Sequence, residues 1–268
     1  VGMAAGEKVV SLGSNLNKAQ RAQMLEYFDV EEEDVKIITV TNKEEREYLA
    51  GIAPESKIGT RAISSAFVEL MDEGEGITVE TYNIDWVTEE MYASALTTAG
   101  VKDARVIAAA PFKVSGTAAL TGITKAFEEI SGKKLSEDAK EIANEELVKT
   151  GELGDEIGKD KAASLVKEIK EKVIKDGIKD PDRIYQIIVQ IAGDLNINLS
   201  EKQIQELVSL MEKISKLDIS VADIQTQLKN IQGQLEKIAE SQEEARGILA
   251  QIRNFFVKIV EWIQSIFR

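Results

Sequence analysis

The chain has 268 residues, of which 43% are hydrophobic, a formal net charge of −14, and neither cysteine nor histidine. The missing cysteines exclude disulfides and thiolate sites, and the missing histidines exclude imidazole metal ligands and histidine-dependent catalysis. Carboxylate, serine, threonine, lysine and tyrosine chemistry remains. Because the negative charge repels a phosphate backbone, we expect no nucleic-acid partner. The hydrophobic fraction is large enough for a real core.

The first half of the chain alternates short apolar strands with amphipathic helices. The predicted strands are 8–13, 35–40, 63–70, 77–82 and 105–110. Asn17, Asn42 and Ser115 are each placed to cap a helix, and a further helix is predicted over 88–98. The resulting order, βαβαββαβα, predicts an α/β (α+β) domain with a mixed sheet over residues 1–132.

Two details of this sheet can also be predicted. The strands 63–70 and 77–82 flank the glycine-containing turn 72–76, which favours a hairpin. The strand 105–110 is apolar on both faces, which is typical of an inner strand, and Pro111 is expected to end it.

From Leu135 onwards the pattern indicates helices only. Apolar residues recur every three or four positions in several successive segments, so each segment can cover another helix. The predicted loops between them are marked by the Asp180-Pro181 pair and by Gly151, Gly154, Gly158 and Gly177. Residues 133–216 are therefore predicted to form an all-helical domain.

The segment 217–268 carries a heptad repeat of apolar residues without a slip, which predicts a long amphipathic helix. Ser220 and Asp223 resemble a capping box, so the helix is expected to start there. Such a helix is longer than a domain of this size is wide. Pairing as a coiled coil, folding back as a hairpin and packing on the helical domain remain open. No run of apolar residues is long enough to predict a conventional membrane-spanning helix.

The end of this helix is the predicted partner or self-association surface. Its polar residues form one stripe, and apolar residues occupy most of the remaining circumference. The surface consists of Phe255, Phe256, Ile259, Trp262, Ile263, Ile266 and Phe267. Self-association or internal packing is favoured over contact with a membrane surface, because the polar stripe contains few basic residues.

Other motifs give weaker indications of chemistry. The small-residue turn 114–122 could bind an anion at a helix N-terminus, but capping and close packing explain it more simply. The Ser-x-x-Lys match at 131–134 is interpreted as a connector, and the acidic run 29–34 as a solvated loop.

Two carboxylate pairs could in principle serve as acid and base: Asp85 with Glu89, and Glu128 with Glu129. A chain that is 30% charged offers such pairs by chance. We therefore predict no catalytic residue, no cofactor and no metal site.

Three stretches carry a family resemblance. They are residues 39–45 (TVTNKEE), 58–65 (IGTRAISS), and 99–112 continued by 114–122 (AGVKDARVIAAAPF and VSGTAALTG). These stretches resemble the signatures of the YpuA-like family, secreted Firmicutes proteins grouped as a domain of unknown function, over roughly residues 7–200. The resemblance supplies no catalytic residues. It implies a cell-envelope or extracellular location, and also antibody variable domains as a partner, as for superantigen-like members from gut commensals.

These features predict a secreted or cell-surface, non-enzymatic binding protein of a Gram-positive bacterium. Two alternatives remain open. One is a cell-envelope enzyme that uses carboxylate or Ser/Lys chemistry. The other is a structural oligomer built on the C-terminal heptad helix.

Overall fold

The computed structural model describes residues 4–240, with side-chain packing given through residue 231. This part of the chain contains a five-stranded mixed sheet and ten helices. The strands are β1 (Lys8–Gly13), β2 (Lys36–Val40), β3 (Ser65–Leu70), β4 (Thr78–Ile84) and β5 (Ala104–Val114). The helices are α1 (Lys18–Tyr27), α2 (Asn42–Leu49), α3 (Glu55–Ile58), α4 (Glu89–Ala99), α5 (Ala119–Ser131), α6 (Glu137–Ile157), α7 (Lys159–Lys175), α8 (Pro181–Asp194), α9 (Glu201–Ile214) and α10 (Val221–Glu240).

The sheet has the order β2-β1-β3-β5-β4, and β3 alone runs against the other four strands. Val10 on β1 lies opposite Ile37 on one side and Phe67 on the other. The predicted mixed sheet is confirmed, and so is the inner position of β5, which pairs with strands on both of its edges.

The predicted hairpin of β3 and β4 is wrong, because β5 lies between these two strands. Asp103, just before β5, holds the connection: its carbonyl accepts the N–H of Met71 and its carboxylate accepts the N–H of Gly76. The turn therefore passes over the amino end of β5 instead of closing a hairpin. An inner position buries both apolar faces of β5, and this burial is more stabilising than direct pairing of β3 with β4 in a hairpin.

The prediction that Pro111 ends its strand is also wrong, since β5 continues to Val114. Ala109, opposite Ser65, is the last β5 residue that pairs with β3. Pro111 lies beyond this point, so its missing N–H costs no hydrogen bond to β3. The pairing with β4 resumes after an irregularity, with Ile84 opposite Val114.

Several helix starts follow the predicted capping chemistry. Asn17 and Gln20 form a capping box at α1, which confirms Asn17 as the cap. At α2 the cap is Thr41 and not Asn42, because the hydroxyl of Thr41 accepts the N–H of Glu44. The prediction of Ser115 as a cap is wrong, since α5 begins at Ala119 and has no side-chain cap.

Gly151 and Gly154 do not mark loops, because both lie within α6. A Cβ atom on Gly151 would lie 2.4 Å from the indole ring of Trp86. The absence of a side chain at Gly151 therefore allows α6 to pack closely against the loop before α4. The loops predicted at Gly158 and Gly177 are confirmed, and both glycines have a positive φ.

The helices of the second half share an apolar core of their own. The loop predicted at Asp180-Pro181 ends where α8 starts: Asp180 caps this helix and Pro181 occupies its first position. The core contains Leu165, Val166, Ile169, Ile184, Ile188, Leu207, Val208, Met211 and Ile214, among others. The predicted domain boundaries at 132 and 216 stay predictions.

The sheet has a closed side and a partly open side. On the closed side, α4 and α5 cover the strands, and residues of α6 and α10 extend the same core. On the other side, α1 packs on β1, β3 and β5. No helix within residues 4–240 is both long and apolar enough to cross a membrane.

The last described helix, α10, begins at the predicted Ser220–Asp223 capping box, which is confirmed. The first heptad positions, Ile224, Leu228 and Ile231, are buried in the core of the closed side. This part of the seam therefore packs within the chain. The remainder of the predicted heptad helix, 241–268, lies outside the described residues.

Candidate functional site

The predicted partner or self-association surface, residues 255–267, lies outside the described part of the chain, and it stays a prediction. The other candidate residues lie within residues 4–240. Their contacts can therefore be compared with the chemical roles considered for them.

The small-residue turn before α5 keeps its hydroxyl groups inside the fold. Ser115 and Thr117 both donate to the backbone carbonyl of Lys57, at 2.7 and 2.8 Å. Gly122, in α5, packs against β1. A Cβ atom added to Gly122 would lie 2.4 Å from the Ser11 hydroxyl oxygen. Close helix–sheet packing therefore explains the small residues, as predicted.

The carboxylates of Glu128 and Glu129 are engaged with separate partners. Glu128 accepts a hydrogen bond from Lys140 at 3.1 Å, whereas Glu129 forms an ion pair with Lys36. Asp85 is exposed in the loop before α4, and Glu89 is the first residue of that helix. Neither pair gains support as an acid and base. No metal-binding group of three or more carboxylates forms among residues 4–240.

The Ser-x-x-Lys match is a connector, as predicted. Gly132 ends α5 in the left-handed conformation with φ 66°. The hydroxyl of Ser131 accepts the backbone N–H of Lys133 at 3.1 Å. The motif is therefore part of the turn between α5 and α6.

A buried ion pair joins α4, α6 and α7. Lys170 is 0% exposed and Glu146 is 1% exposed, and the Nζ atom lies 2.9 and 3.1 Å from the two carboxylate oxygens. The hydroxyls of Ser94 and Thr98 donate to the same carboxylate at 2.8 and 2.6 Å. A serine–lysine dyad needs an amine that can act as a base and a reachable serine. Here the ammonium is ion-paired and the serine is buried, so the cluster holds three helices together.

A second buried carboxylate, Glu45 on α2, has no cation of this kind. It is 1% exposed and accepts a hydrogen bond from Asn42 Nδ2 at 3.3 Å. Burial raises the pKa of Glu45 to about 7, and the nearby Arg46 lowers it only in part. The space beside Glu45, lined by Ser11 and Gly122 among others, is too small for a water molecule. Glu45 is therefore a buried titratable residue on the inner face of α2 and not part of an open ligand site.

An open groove of about 780 Å³ lies between α2, α6 and the turn after α9. Its apolar lining includes Ile52, Ile142 and Leu217. Lys213 and Glu145, which also line it, form an ion pair of 2.8 Å. Part of the charge in the groove is therefore already paired.

Among residues 4–231, the largest exposed aromatic feature lies on the open side of the sheet. Tyr82 on β4 stacks on Tyr27 at the end of α1, with ring centroids 4.2 Å apart and 17° between the planes. The two tyrosines are 38% and 39% exposed. Glu80 lies two residues before Tyr82 and is also exposed, so both project from the same side of β4. We call the surface formed by Tyr27, Tyr82 and Glu80 the tyrosine face.

A third exposed aromatic lies near the tyrosine face. Phe112 is 46% exposed and follows Pro111, whose carbonyl accepts a hydrogen bond from Gln23 at 3.4 Å. Gln23 precedes Tyr27 by one helical turn. Val189, on α8, is the remaining strongly exposed large apolar side chain among the residues whose burial is described. Exposed aromatic surface is thus concentrated where α1, β4 and β5 meet.

Two carboxylates lie near the tyrosine face. Glu80 is on β4 itself, and Glu89 is the first residue of α4. The pKa of Tyr27 is raised by partial burial and by the carboxylates of Glu80 and Glu89. The tyrosine hydroxyl therefore stays protonated and can donate a hydrogen bond.

Sequence reasoning missed these residues, although each leaves a signal. Tyr82 takes the outward phase of an alternating strand, where an aromatic side chain is unusual. Glu45 precedes Leu49 by four residues and so shares its buried helix face, and Lys170 follows Val166 by four. A charged residue at an apolar position of the helix pattern identifies Glu45 and Lys170. An aromatic residue at a polar position of the strand pattern identifies Tyr82.

These features define a mixed α/β protein with an attached helical layer and an exposed tyrosine face. The chain belongs to the family described as protein of unknown function DUF1002, which matches residues 12–231. It is 44% identical over 268 residues to the uncharacterized protein YpuA of Bacillus subtilis (strain 168), covering 99% of this chain and 91% of that protein. No solved structure matches the chain. The family resemblance predicted from the sequence is therefore confirmed.

Proposed function

We propose that this chain is a non-enzymatic binding protein, secreted or held on the cell surface, that binds a protein partner through the tyrosine face. The observation that carries the proposal is the stacked and exposed pair of Tyr27 and Tyr82 on the part of the sheet that α1 leaves open. Tyrosine is favoured at protein interfaces because it buries a large area at a low entropic cost. Secretion is proposed because the family resemblance implies it.

Side chains, and not backbone pairing, would make the contact. β4 is an edge strand, and edge strands can accept an added strand from a partner. Here Asn83 interrupts the strand with a φ of 58°, and the pairing of β4 with β5 is irregular at this point. This irregularity opposes strand addition and leaves the aromatic rings as the available contacts.

Antibody variable domains are the partner that the family resemblance implies, so they are the first to test. The full chain is immobilised, and antigen-binding fragments and constant fragments of polyclonal antibody are passed over it at about 10 μM. Retention of the antigen-binding fragments alone is the expected result. If these fragments are not retained, the antibody partner is wrong.

The role of the tyrosine face is tested with the double variant Tyr27→Ala/Tyr82→Ala. We expect its affinity for the retained partner to fall by about tenfold or more, because interface tyrosines act as anchors. Val189→Ala is the matched control, since it removes an equally exposed apolar side chain from α8. Unchanged retention by the double variant would overturn the proposed function.

A further inference from the structure

The charges around the tyrosine face are unequal. Glu80 lies on the same face of β4 as Tyr82, and Glu80 and Glu89 are both close enough to Tyr27 to raise the pKa of its hydroxyl. Arg105 lies 3.5 Å from Glu69 and 3.9 Å from Glu80. The longer distance leaves Glu80 only weakly paired.

The connection that follows α1 adds further negative charge. It begins two residues after Tyr27 and carries five exposed carboxylates between residues 29 and 34, as the sequence predicts for a solvated acidic loop. Among them, Glu32 pairs with Arg21 at 2.8 Å. Lys113, which follows Phe112, is an exposed cation. Carboxylates therefore outnumber cations in the segments next to the exposed rings.

Aromatic faces and carboxylates favour the same kind of ligand. The face of a tyrosine ring attracts a cation, and an arginine guanidinium also stacks on it. Carboxylates beside the ring add charge-assisted hydrogen bonds. By contrast, an acidic or purely apolar partner would have to leave Glu80 and Glu89 unpaired at the interface.

Resting on the proposed function, we infer that the tyrosine face binds a cationic segment of its protein partner, with an arginine or lysine side chain against the stacked rings of Tyr27 and Tyr82 and with Glu80 and Glu89 as counter-charges. The inference names the chemistry of the partner, whereas the proposed function requires only that the face bind protein. It also gives the acidic composition of this side of the chain a role in recognition.

The inference is tested with two probe peptides of about ten residues. One alternates arginine with glycine, and the other carries citrulline in place of every arginine, which keeps the shape and removes the charge. Binding to the full chain is measured by NMR chemical-shift mapping and by calorimetry. We expect the arginine peptide to bind at the tyrosine face about tenfold or more tightly than the citrulline peptide.

Matched variants separate this contact from general attraction to an acidic protein. Glu80→Gln/Glu89→Gln removes two charges near the face and keeps the size of both side chains. Asp138→Asn/Glu141→Gln removes two charges from the groove, where both residues are exposed. We expect affinity for the arginine peptide to fall about tenfold in the first variant and to change little in the second.

Each outcome has a distinct meaning. Equal binding of the two peptides, or equal losses in the two charge variants, would overturn the cationic partner. If the antibody fragments or another protein depend on Tyr27 and Tyr82 but not on Glu80 and Glu89, the inference fails and the proposed function stands. If Tyr27→Ala/Tyr82→Ala leaves every binding event intact, both fail. Circular dichroism of each variant confirms that the fold is retained.

Discussion

Polar and aromatic groups are buried and paired on the closed side of the sheet, whereas aromatic groups remain exposed at the tyrosine face. On the closed side, the Lys170 ammonium meets Glu146, and Trp86 donates to Asp155 at 3.0 Å while it packs against Gly151. On the open side, the rings of Tyr27 and Tyr82 contact each other and remain more than one-third exposed. Groups that are paired inside the fold contribute to stability, and the exposed groups are those that we propose for binding. Changes on the two sides should therefore affect different measurements.

The largest expected effect is on stability, from Lys170→Met. The substitution leaves Glu146 buried without its cation, which should lower the free energy of unfolding by about 3–5 kcal/mol. Urea denaturation measures the loss. The double variant Glu146→Leu/Lys170→Met should recover much of it, because no isolated charge then remains. A loss below about 1 kcal/mol in the single variant would contradict a structural role for the pair.

Glu45→Gln should have the next largest effect, and its sign depends on pH. The pKa of Glu45 is raised from 4.5 to about 7 in the folded chain. As the pH rises through this interval, the unfolded chain loses the proton first, so the folded chain loses stability. At about pH 8 the penalty is complete and amounts to about 3 kcal/mol, which the neutral glutamine should restore. At about pH 4 the two proteins should be equally stable.

Denaturation across this pH range measures the effect of Glu45. Glu47→Gln, an exposed carboxylate on the same helix, is the control and should leave the pH dependence of stability unchanged. Burial also raises the pKa of Glu168 on α7 to about 7, so some pH dependence should remain in Glu45→Gln. A pH dependence as large in Glu45→Gln as in the unchanged protein would contradict the role of Glu45.

Gly151→Ala tests the close approach of α6 to Trp86. The added Cβ would lie 2.4 Å from the ring, and we expect a loss of about 1–3 kcal/mol together with a change in Trp86 fluorescence. Gly193→Ala is the matched control, because nothing lies within 4 Å of its Cβ position in α8. That variant should gain up to about 1 kcal/mol from helix propensity. Equal effects at the two glycines would contradict the tight contact at Gly151.

The smallest expected effect on stability belongs to the tyrosine face. Tyr82→Ala removes a stacked but well exposed ring, so the free energy of unfolding should fall by only about 1 kcal/mol. Thermal denaturation measures the change. A loss as large as that of Lys170→Met would mean that Tyr82 serves the fold and not a partner.

The sequence predicts most of the local structure of this chain. The order of strands and helices, the Asn17 and Ser220 caps and the helical second half all follow from periodicity and capping chemistry. The hairpin fails because the position of β5 depends on pairing between strands that are distant along the chain. Local signals, such as the glycines before β4, cannot show which strand will be inserted between two neighbours.

The candidate site was less accessible to sequence reasoning. Tyr27 and Tyr82 are 55 residues apart in number, and only the path of α1 across the sheet brings their rings together. The sequence instead directs attention to residues 255–267, where apolar residues are adjacent and easily noticed. Glu45 and Lys170 show the same difficulty, since a charged residue on an apolar helix face is informative only when its partner is known.

Hydrogen exchange of the full chain, with and without its retained protein partner, tests the central claim most directly. The account predicts slower exchange of backbone amides in β4, Thr78–Ile84, and in the second half of α1 when the partner is bound. It predicts no change around the groove at Ile52 and Ile142. Protection at the groove with none at β4 and α1 would contradict the assignment of binding to the tyrosine face.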